Sequence, residues 1–301
     1  MIKRNVVFYG NCQTKVYETV FNTSPAFLDA CAVIAVPPIH QLQEHHYPGV
    51  RDALSRADVF VYQPIGSRFA EFSTEAVLRH LPPHALRITL PVAYFTGYTP
   101  ETVYLFDAHS RPVDSLFPYY HDINVLRAFD LGKSETFAFE MLSNPELTPG
   151  SEILGNLQAT LQTLETRERE QEVDIPISGF IREYFRERKL FHTFNHPSNE
   201  MLAYVIGKLA EALEIPSPGL PGTELLGSSR LYLHPGVRDA LALTLADEGI
   251  MLLQETVTLR EYVSRAYATY AQNREMITHT FRHLDKIDNP FLRVRMQSNL
   301  N

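Results

Sequence analysis

Cysteine and tryptophan are scarce in this sequence: its 301 residues include no Trp and only two Cys, Cys12 and Cys31. Two cysteines form at most one disulfide, so a disulfide-rich scaffold is excluded, and a reducing compartment would keep both as thiols. No Cys and His residues stand at the spacing of a zinc site, and we expect no metal. Cys31 lies in the apolar stretch CAVIAV and is expected to be a buried core residue.

Long hydrophobic runs and an excess of positive charge are also lacking. No run reaches the roughly 20 apolar residues that cross a bilayer, and the short apolar run near the start does not fit a signal peptide. We therefore expect a cytoplasmic protein without a membrane span. The net charge of −8 argues against binding to nucleic acid, which requires a basic surface.

Short apolar runs alternate with segments of helical periodicity in the first hundred residues. The runs are NVVFYG (5–10), CAVIAV (31–36), DVFVYQPI (58–65) and LRITLPVAYF (86–95). This alternation is typical of βαβ units, and strands that are apolar on both faces belong to a parallel sheet covered on both sides. The predicted fold class is α/β, with a parallel-sheet three-layer core.

Helical patterns dominate the later part of the chain. We predict helices over 148–174, 178–190 and 197–215, with Ser198 as the N-cap of the last of these. A mainly helical body is predicted over 237–277, and a short strand over 191–194. The chain is interpreted as one domain, 1–301, with an α/β core (1–100), aromatic loops and helices that complete a site (101–215), and a large helical C-terminal portion (216–301).

The stretch Gly10-Asn11-Cys12-Gln13 follows the first predicted strand and precedes a helix. Gly10 permits a tight turn and the close approach of a ligand. Free N–H groups at a helix N-terminus favour a thiolate at Cys12 and suit a developing oxyanion, to which the Asn11 and Gln13 amides can add donors. The alternative is that Cys12 is a small residue in a tight turn.

A base is needed beside a nucleophile, and His196 is the strongest candidate. It follows a predicted strand and precedes Pro197, which restricts the histidine backbone to an extended form and suits a helix start. The alternative is a histidine that only packs at the entry to the helix.

These elements resemble the SGNH hydrolase arrangement, with its flavodoxin-like core. Gly10-Asn11-Cys12 stands where that family has Gly-Asp-Ser, His196-Pro197 stands where it has His-Pro, and Gln63 stands near its oxyanion-hole Asn. Two departures are the Cys in place of Ser and Thr193, which stands where the family has the orienting Asp.

A second resemblance covers most of the chain. In order, YGNCQ, YQPI, FTGYTP, YYHDINV and FNHPSNEML resemble the WcbI-type capsular polysaccharide biosynthesis proteins. This resemblance implies a bacterial protein that uses coenzyme A, as acetyl-CoA, to acetylate a sugar. Under this interpretation either the Cys12 thiolate forms an acetyl-enzyme, or His196 activates the sugar directly.

The candidate site residues fall into three groups. Cys12 and His196 are the predicted catalytic pair. The candidates for oxyanion and substrate contacts are Gly10, Asn11, Gln13, Gln63, His121, Asp122 and Asn199. The candidates for the phosphates of coenzyme A are Lys15, Arg68, Arg182, Arg186 and Lys189, of which the last three would share one helix face.

Two other functions remain open at this point. The same site fits a carbohydrate esterase, if water reaches the acyl-enzyme, or the chain is a non-catalytic subunit that binds coenzyme A or a nucleotide sugar. A homodimer is also left open, because the apolar content of the C-terminal helices suits a subunit contact or a lid equally well.

Overall fold

A computed structural model describes residues 3–113, 115–246 and 248–300. Its strands are β1 (Arg4–Tyr9), β2 (Cys31–Val33), β3 (Val59–Tyr62), β4 (Leu86–Thr89), β5 (Thr102–Val103), β6 (His121–Asp122), β7 (Phe191–Thr193), β8 (His196–Pro197), β9 (Ile250–Leu252) and β10 (Glu255–Val257). Its α-helices are α1 (Cys12–Phe21), α2 (Pro25–Ala30), α3 (Tyr47–Ser55), α4 (Thr74–Leu78), α5 (Ile123–Asp130), α6 (Glu135–Ser143), α7 (Gly150–Glu170), α8 (Ser178–Tyr184), α9 (Asn199–Leu213), α10 (Pro235–Ala240), α11 (Leu259–Gln272), α12 (Arg274–Lys286) and α13 (Pro290–Gln297).

The chain divides into two compact units. Unit 1 comprises residues 1–94, 162–183 and 196–225, and unit 2 comprises 95–161, 184–195 and 226–301. The single domain with subdivisions near residues 100 and 215 stays a prediction.

Unit 1 contains a four-stranded parallel sheet in the order β2-β1-β3-β4. The strands are rich in Val, Ile and Phe, and β1 and β3 are almost completely buried because helices cover both faces. On one face Val7 and Phe60 pack with Leu54 of α3. On the other, the rings of Phe8 and Phe21 of α1 stack with centroids 5.9 Å apart. The α/β prediction and its parallel core are confirmed.

Unit 2 has a helical core built on α5, α6 and the C-terminal helices α11, α12 and α13, with the antiparallel hairpin β9–β10 packed against them. The large helical C-terminal portion is confirmed, and within the mainly helical body predicted over 237–277 the hairpin β9–β10 separates α10 from α11. Helix α10 ends at Ala240 because Ala242 is left-handed (φ 51°) and the Leu243 N–H bonds back to the Arg238 carbonyl at 3.0 Å.

The helix predicted over 178–190 is also wrong beyond Tyr184. The following carbonyl groups bond elsewhere in unit 2. The Tyr98 hydroxyl donates to the carbonyls of Phe185 (2.7 Å) and Arg188 (2.9 Å), and the Thr244 N–H donates to the Arg186 carbonyl (2.9 Å). These partners replace the helical hydrogen bonds, so the backbone leaves the helix.

Candidate active site

The carboxyl ends of β1 and β3 meet at the switch point of the sheet in unit 1. From β1 the chain runs to β2 on one side, and β3 lies on the other side of β1. Loops diverge at such a point and leave a crevice where open α/β sheets bind ligands. Gly10 to Gln13 follow β1 there, and Gln63 follows β3.

The Gln63 side chain joins these two loops. Its Oε1 accepts from the Asn11 N–H at 3.0 Å, and its Nε2 donates to Gln13 Oε1 at 2.9 Å and to the Pro91 carbonyl at 3.1 Å. Gln13 in turn bonds both backbone groups of Ala93, donating to its carbonyl at 2.8 Å and accepting from its N–H at 3.0 Å. Both glutamines are completely buried. We call this set of hydrogen bonds the Gln63 network.

The predicted oxyanion role of Gln63 conflicts with this network, because both N–H bonds of its amide are donated to protein oxygens. Donation to a substrate would require breaking one of them. The role of Gln63 in this structure is to hold the Cys12 turn against the neighbouring loops, and the same holds for the Gln13 side chain. Their direct contact with substrate stays a prediction.

Residue 10 must be a glycine because the side chains of Gln63 and Thr14 lie too close to its Cα for any Cβ atom. A Cβ atom at this position would lie 2.6 Å from Gln63 Oε1 and 2.7 Å from Thr14 Cγ2, closer than van der Waals contact allows. The Gly10 carbonyl also accepts from the Ile39 N–H at 2.8 Å, which ties the turn to the segment after β2.

Asn11 caps α1 and Cys12 is the first helical residue. Asn11 Oδ1 accepts from the Gln13 N–H at 2.8 Å, as an N-cap does. Among the described residues, the Cys12 N–H and Asn11 Nδ2 have no protein oxygen as acceptor. These two donors are therefore available to an oxyanion beside the Cys12 sulfur.

Both cysteines are free thiols. Cys12 is half-buried, and Cys31 is fully buried. Burial raises the pKa of Cys12, while the N–H groups of Cys12 and Gln13 lower it by less. The N–H groups favour the thiolate, as expected, but burial outweighs them, so the sulfur favours its proton until a base removes it.

Tyr17 was missed by the sequence analysis. It lies on α1 and is 2% exposed. Burial raises the pKa of its hydroxyl, and the charge on the nearby Cys12 sulfur raises it further. In the sequence, a tyrosine at helical spacing is indistinguishable from an ordinary core residue, so nothing indicated that Tyr17 lies near Cys12.

His196 lies in β8 at the entry to α9, in the same unit as Cys12. Ser198 is the N-cap of α9 by position, but its buried Oγ makes no hydrogen bond to any of the described residues. Asn199 has a structural role, since its Nδ2 donates to the carbonyls of Pro221 and Thr223 and its Oδ1 accepts from the Leu225 N–H. A substrate contact by Asn199 stays a prediction that competes with these bonds.

His121 and Asp122 belong to unit 2. Burial lowers the pKa of His121 to about 3, so its imidazole is neutral, and its Nδ1 pairs with the Tyr270 hydroxyl at 3.1 Å. Asp122 caps α5 by accepting from the Asn124 N–H at 2.7 Å. Both have partners that explain them structurally, and their substrate contacts stay predictions.

The five predicted phosphate-binding cations are divided between the two units. In unit 1, Lys15 pairs with the buried Glu18, Arg68 is exposed with its guanidinium 4.9 Å from the Phe69 ring centroid, and Arg182 pairs with Glu165.

In unit 2, Arg186 bonds the Leu241 carbonyl at 3.2 Å, and Lys189 pairs with Glu248 at 3.1 Å. Because α8 ends at Tyr184, the shared helix face of Arg182, Arg186 and Lys189 is wrong.

Among the described residues, no group of three or more His, Cys, Asp and Glu is arranged to hold a metal ion. Across the same part of the chain, every helix is too short or too polar to traverse a bilayer.

The chain is thus an α/β protein with a parallel sheet. Its candidate site lies at the switch point of that sheet, on the turn after the first strand, where Cys12 is the first residue of a capped helix. The family model described as "Polysaccharide biosynthesis enzyme WcbI" matches residues 5–218. The chain belongs to this WcbI family of polysaccharide biosynthesis enzymes, which confirms the family predicted from the sequence.

A solved structure of WcbI, described as a novel polysaccharide biosynthesis enzyme and as native protein without a disulfide bond between coenzyme A and a cysteine, has the same fold. Its TM-score with this chain is 0.82 at 17% sequence identity, over 98% of this chain and 99% of that one. A search of curated protein sequences found no match.

Proposed function

We propose that this enzyme transfers an acetyl group from acetyl-CoA to a sugar hydroxyl during capsular polysaccharide biosynthesis, in the cytoplasm, with Cys12 as the nucleophile. The observation that carries the proposal is the place of the thiol, at the first residue of α1 beside two available N–H donors. Membership of the WcbI family supports the sugar acceptor. The WcbI structure, whose description names coenzyme A and a cysteine, supports the donor.

The first step forms an acetyl-enzyme. His196 takes the proton of the Cys12 thiol, Sγ attacks the thioester carbon, and the oxyanion accepts hydrogen bonds from the Cys12 N–H and Asn11 Nδ2. The bond from carbon to the sulfur of coenzyme A then breaks, and His196 returns the proton to the leaving thiolate. One thioester replaces another, so this step has little thermodynamic obstacle.

The second step transfers the acetyl group. His196 takes the proton of the sugar hydroxyl, the hydroxyl oxygen attacks the acetyl carbon, and Cys12 Sγ leaves and regains the proton from His196. Because burial raises the pKa of the thiol, the base is essential to the first step. Water must be kept from the acetyl-enzyme, since it competes with the sugar.

Acetyl transfer from labelled acetyl-CoA to a panel of sugars tests this function. Wild type is expected to acetylate at least one sugar, Cys12→Ala to lose turnover, and Cys31→Ala, which removes the other thiol, to retain it. Release of acetate without sugar product would indicate an esterase instead, and binding without any turnover would indicate a non-catalytic subunit.

A thermal-shift titration with coenzyme A, acetyl-CoA and ADP tests the donor separately. A ligand at 100 times its dissociation constant stabilises a fold by about 2.7 kcal/mol. Stabilisation by both coenzyme A compounds is expected in wild type and in Cys12→Ala. The absence of any shift in folded wild type would contradict acetyl-CoA as donor.

A further inference from the structure

Three basic side chains of unit 2 converge on one oxygen of Glu248. Its Oε2 lies 3.1 Å from Lys189 Nζ, 3.6 Å from Arg230 Nη1 and 4.0 Å from His192 Nδ1. Among the described residues of this cluster, Lys189 and Arg230 alone carry two positive charges against the one negative charge of Glu248. The protein as a whole has a net charge of −8, so this local positive excess does not reflect the general composition.

The basic groups are fixed more firmly than the acid. The Arg230 backbone pairs with Met251 of β9 through two hydrogen bonds of 2.7 and 2.9 Å, and the His192 carbonyl in β7 accepts from the Leu231 N–H at 3.2 Å. Glu248 lies in a stretch without regular structure before β9. Its side chain is 33% exposed, against 16% for Lys189 and 22% for Arg230. The carboxylate is therefore the member best placed to leave.

A small pocket lies beside Lys189 and His192. Its remaining walls are mainly apolar and aromatic: Phe95, Phe191, Leu231, Leu233 and Leu245. Charges against such walls interact more strongly than in water, because the local dielectric constant is low. Arg230 Nε is in addition buried without a hydrogen-bond acceptor among the described residues.

The paired charges also act on the titration of Glu248. Burial raises the pKa of this carboxyl, but Lys189, Arg230 and His192 together outweigh burial and hold it below its ordinary value. Glu248 is thus ionised at neutral pH and offsets part of the positive charge of the cluster.

We propose that Lys189, Arg230 and His192 form a binding site for the phosphate group of an organic phosphate, and that Glu248 occupies this site until the ligand displaces it. This inference goes beyond the proposed function, since it assigns a second site that does not require the chemistry of Cys12. The phosphate belongs either to coenzyme A or to a nucleotide-linked sugar.

Calorimetric titration with inorganic pyrophosphate tests the site directly. Glu248→Gln removes the competing charge and is expected to tighten pyrophosphate binding roughly fivefold, the equivalent of an ion pair of about 1 kcal/mol. Lys189→Met and Arg230→Met are expected to weaken it by more than tenfold. The matched control is Glu255→Gln, because Glu255 is a carboxylate of the same unit that pairs with a different cation, Arg265.

Chemical labelling of wild type provides a measurement that no folding defect can disturb. Pyrophosphate is expected to protect Lys189 from amine acetylation, and Lys208, which pairs with Glu211 on the surface of unit 1, to stay equally reactive. Unchanged affinity in Glu248→Gln, an equal gain in Glu255→Gln, or unprotected Lys189 would each overturn the proposal.

Titrations with coenzyme A and with UDP distinguish the two sources of the phosphate. Tighter binding of coenzyme A in Glu248→Gln, with UDP unchanged, assigns the site to the acetyl donor, and the reverse assigns it to a nucleotide sugar. Pyrophosphate binding is expected to persist in Cys12→Ala. A failure of acetyl transfer with intact pyrophosphate binding would therefore contradict the proposed function alone.

Discussion

Replacing Gln63 with Met separates a structural role of this residue from a catalytic one. Met keeps the length and most of the volume of Gln but has no amide, so the change removes the Gln63 network while leaving the core filled. The Asn11 N–H, Gln13 Oε1 and the Pro91 carbonyl each lose a partner.

The expected cost follows from what each partner can find instead. Gln13 Oε1 keeps its hydrogen bond from the Ala93 N–H at 3.0 Å, and the half-buried Asn11 N–H can bond water. The Pro91 carbonyl is buried and is left without a donor. A buried carbonyl without a hydrogen-bond donor costs about 1–3 kcal/mol, and the loss of one ordinary hydrogen bond costs about 1 kcal/mol. We therefore expect Gln63→Met to lower the free energy of unfolding by about 2–4 kcal/mol.

Urea unfolding followed by circular dichroism, together with the rate of Cys12 alkylation, measures both consequences. The Cys12 turn should become more accessible when it is no longer tied to β3, so alkylation should accelerate. Gln41→Met is the control, because the exposed Gln41 side chain makes no hydrogen bond in the structure. Unchanged unfolding free energy and alkylation with a large loss of kcat would refute the structural role and identify Gln63 as an oxyanion donor.

Three further predictions concern the turn, the thiol and a buried carboxyl. Gly10→Ala places a Cβ 2.6 Å from Gln63 Oε1 and should lower the free energy of unfolding in urea by about 1–3 kcal/mol, as overpacking does. The rate of Cys12 alkylation should rise with pH around a midpoint above the ordinary thiol value of about 8.5, because burial raises its pKa. Burial and, to a smaller extent, the charge of Asp122 raise the pKa of Glu101 above its ordinary value near 4.5. The folded protein therefore binds this proton more tightly than the unfolded chain, and the free energy of unfolding falls as the pH rises above about 4.5. Glu101→Gln should therefore gain unfolding free energy relative to wild type with increasing pH.

For each of these three predictions, one experimental result would contradict it. Gly49 of α3 has open space around its Cβ position, so Gly49→Ala is the control for Gly10→Ala, and equal stability in both variants would contradict the close approach. A thiol midpoint below 8.5, measured in Cys31→Ala so that one thiol remains, would contradict the effect of burial. Parallel stability curves for Glu101→Gln and wild type would show that Glu101 is ionised in the folded state.

The sheet and its first helix were predictable because their information is local. The strands β1, β3 and β4 are short apolar runs, and α1 begins where polar residues with a capping Asn11 interrupt such a run. Helix α9 carries its apolar stripe and its start within its own residues. The position of Cys12 at the head of α1 follows from these features.

Partners that are distant in the sequence were not predictable. Gln13 bonds Ala93 across 80 positions, and Asn199 bonds Pro221 across 22. An amide next to a candidate nucleophile or base is the same in sequence whether it faces a substrate or a carbonyl of the protein. The three-dimensional structure was needed to show that these amides are already in use.

Helical periodicity also continued beyond the end of a real helix. Arg182, Arg186 and Lys189 have helical spacing, but the carbonyl groups after Tyr184 bond Tyr98 and Thr244 instead of the next helical turn. The same departure places Lys189 beside Glu248 and Arg230, a group that no local pattern indicates.

Trapping the acetyl-enzyme tests the central claim most directly. Wild type mixed with acetyl-CoA, quenched in acid before the sugar is added and digested, is expected to carry one acetyl group on the peptide that contains Cys12. His196→Ala should form this species far more slowly, and addition of the acceptor sugar before the quench should remove it. Sugar acetylation that persists in Cys12→Ala, with no acetyl group on the Cys12 peptide of wild type, would contradict the nucleophile assigned here.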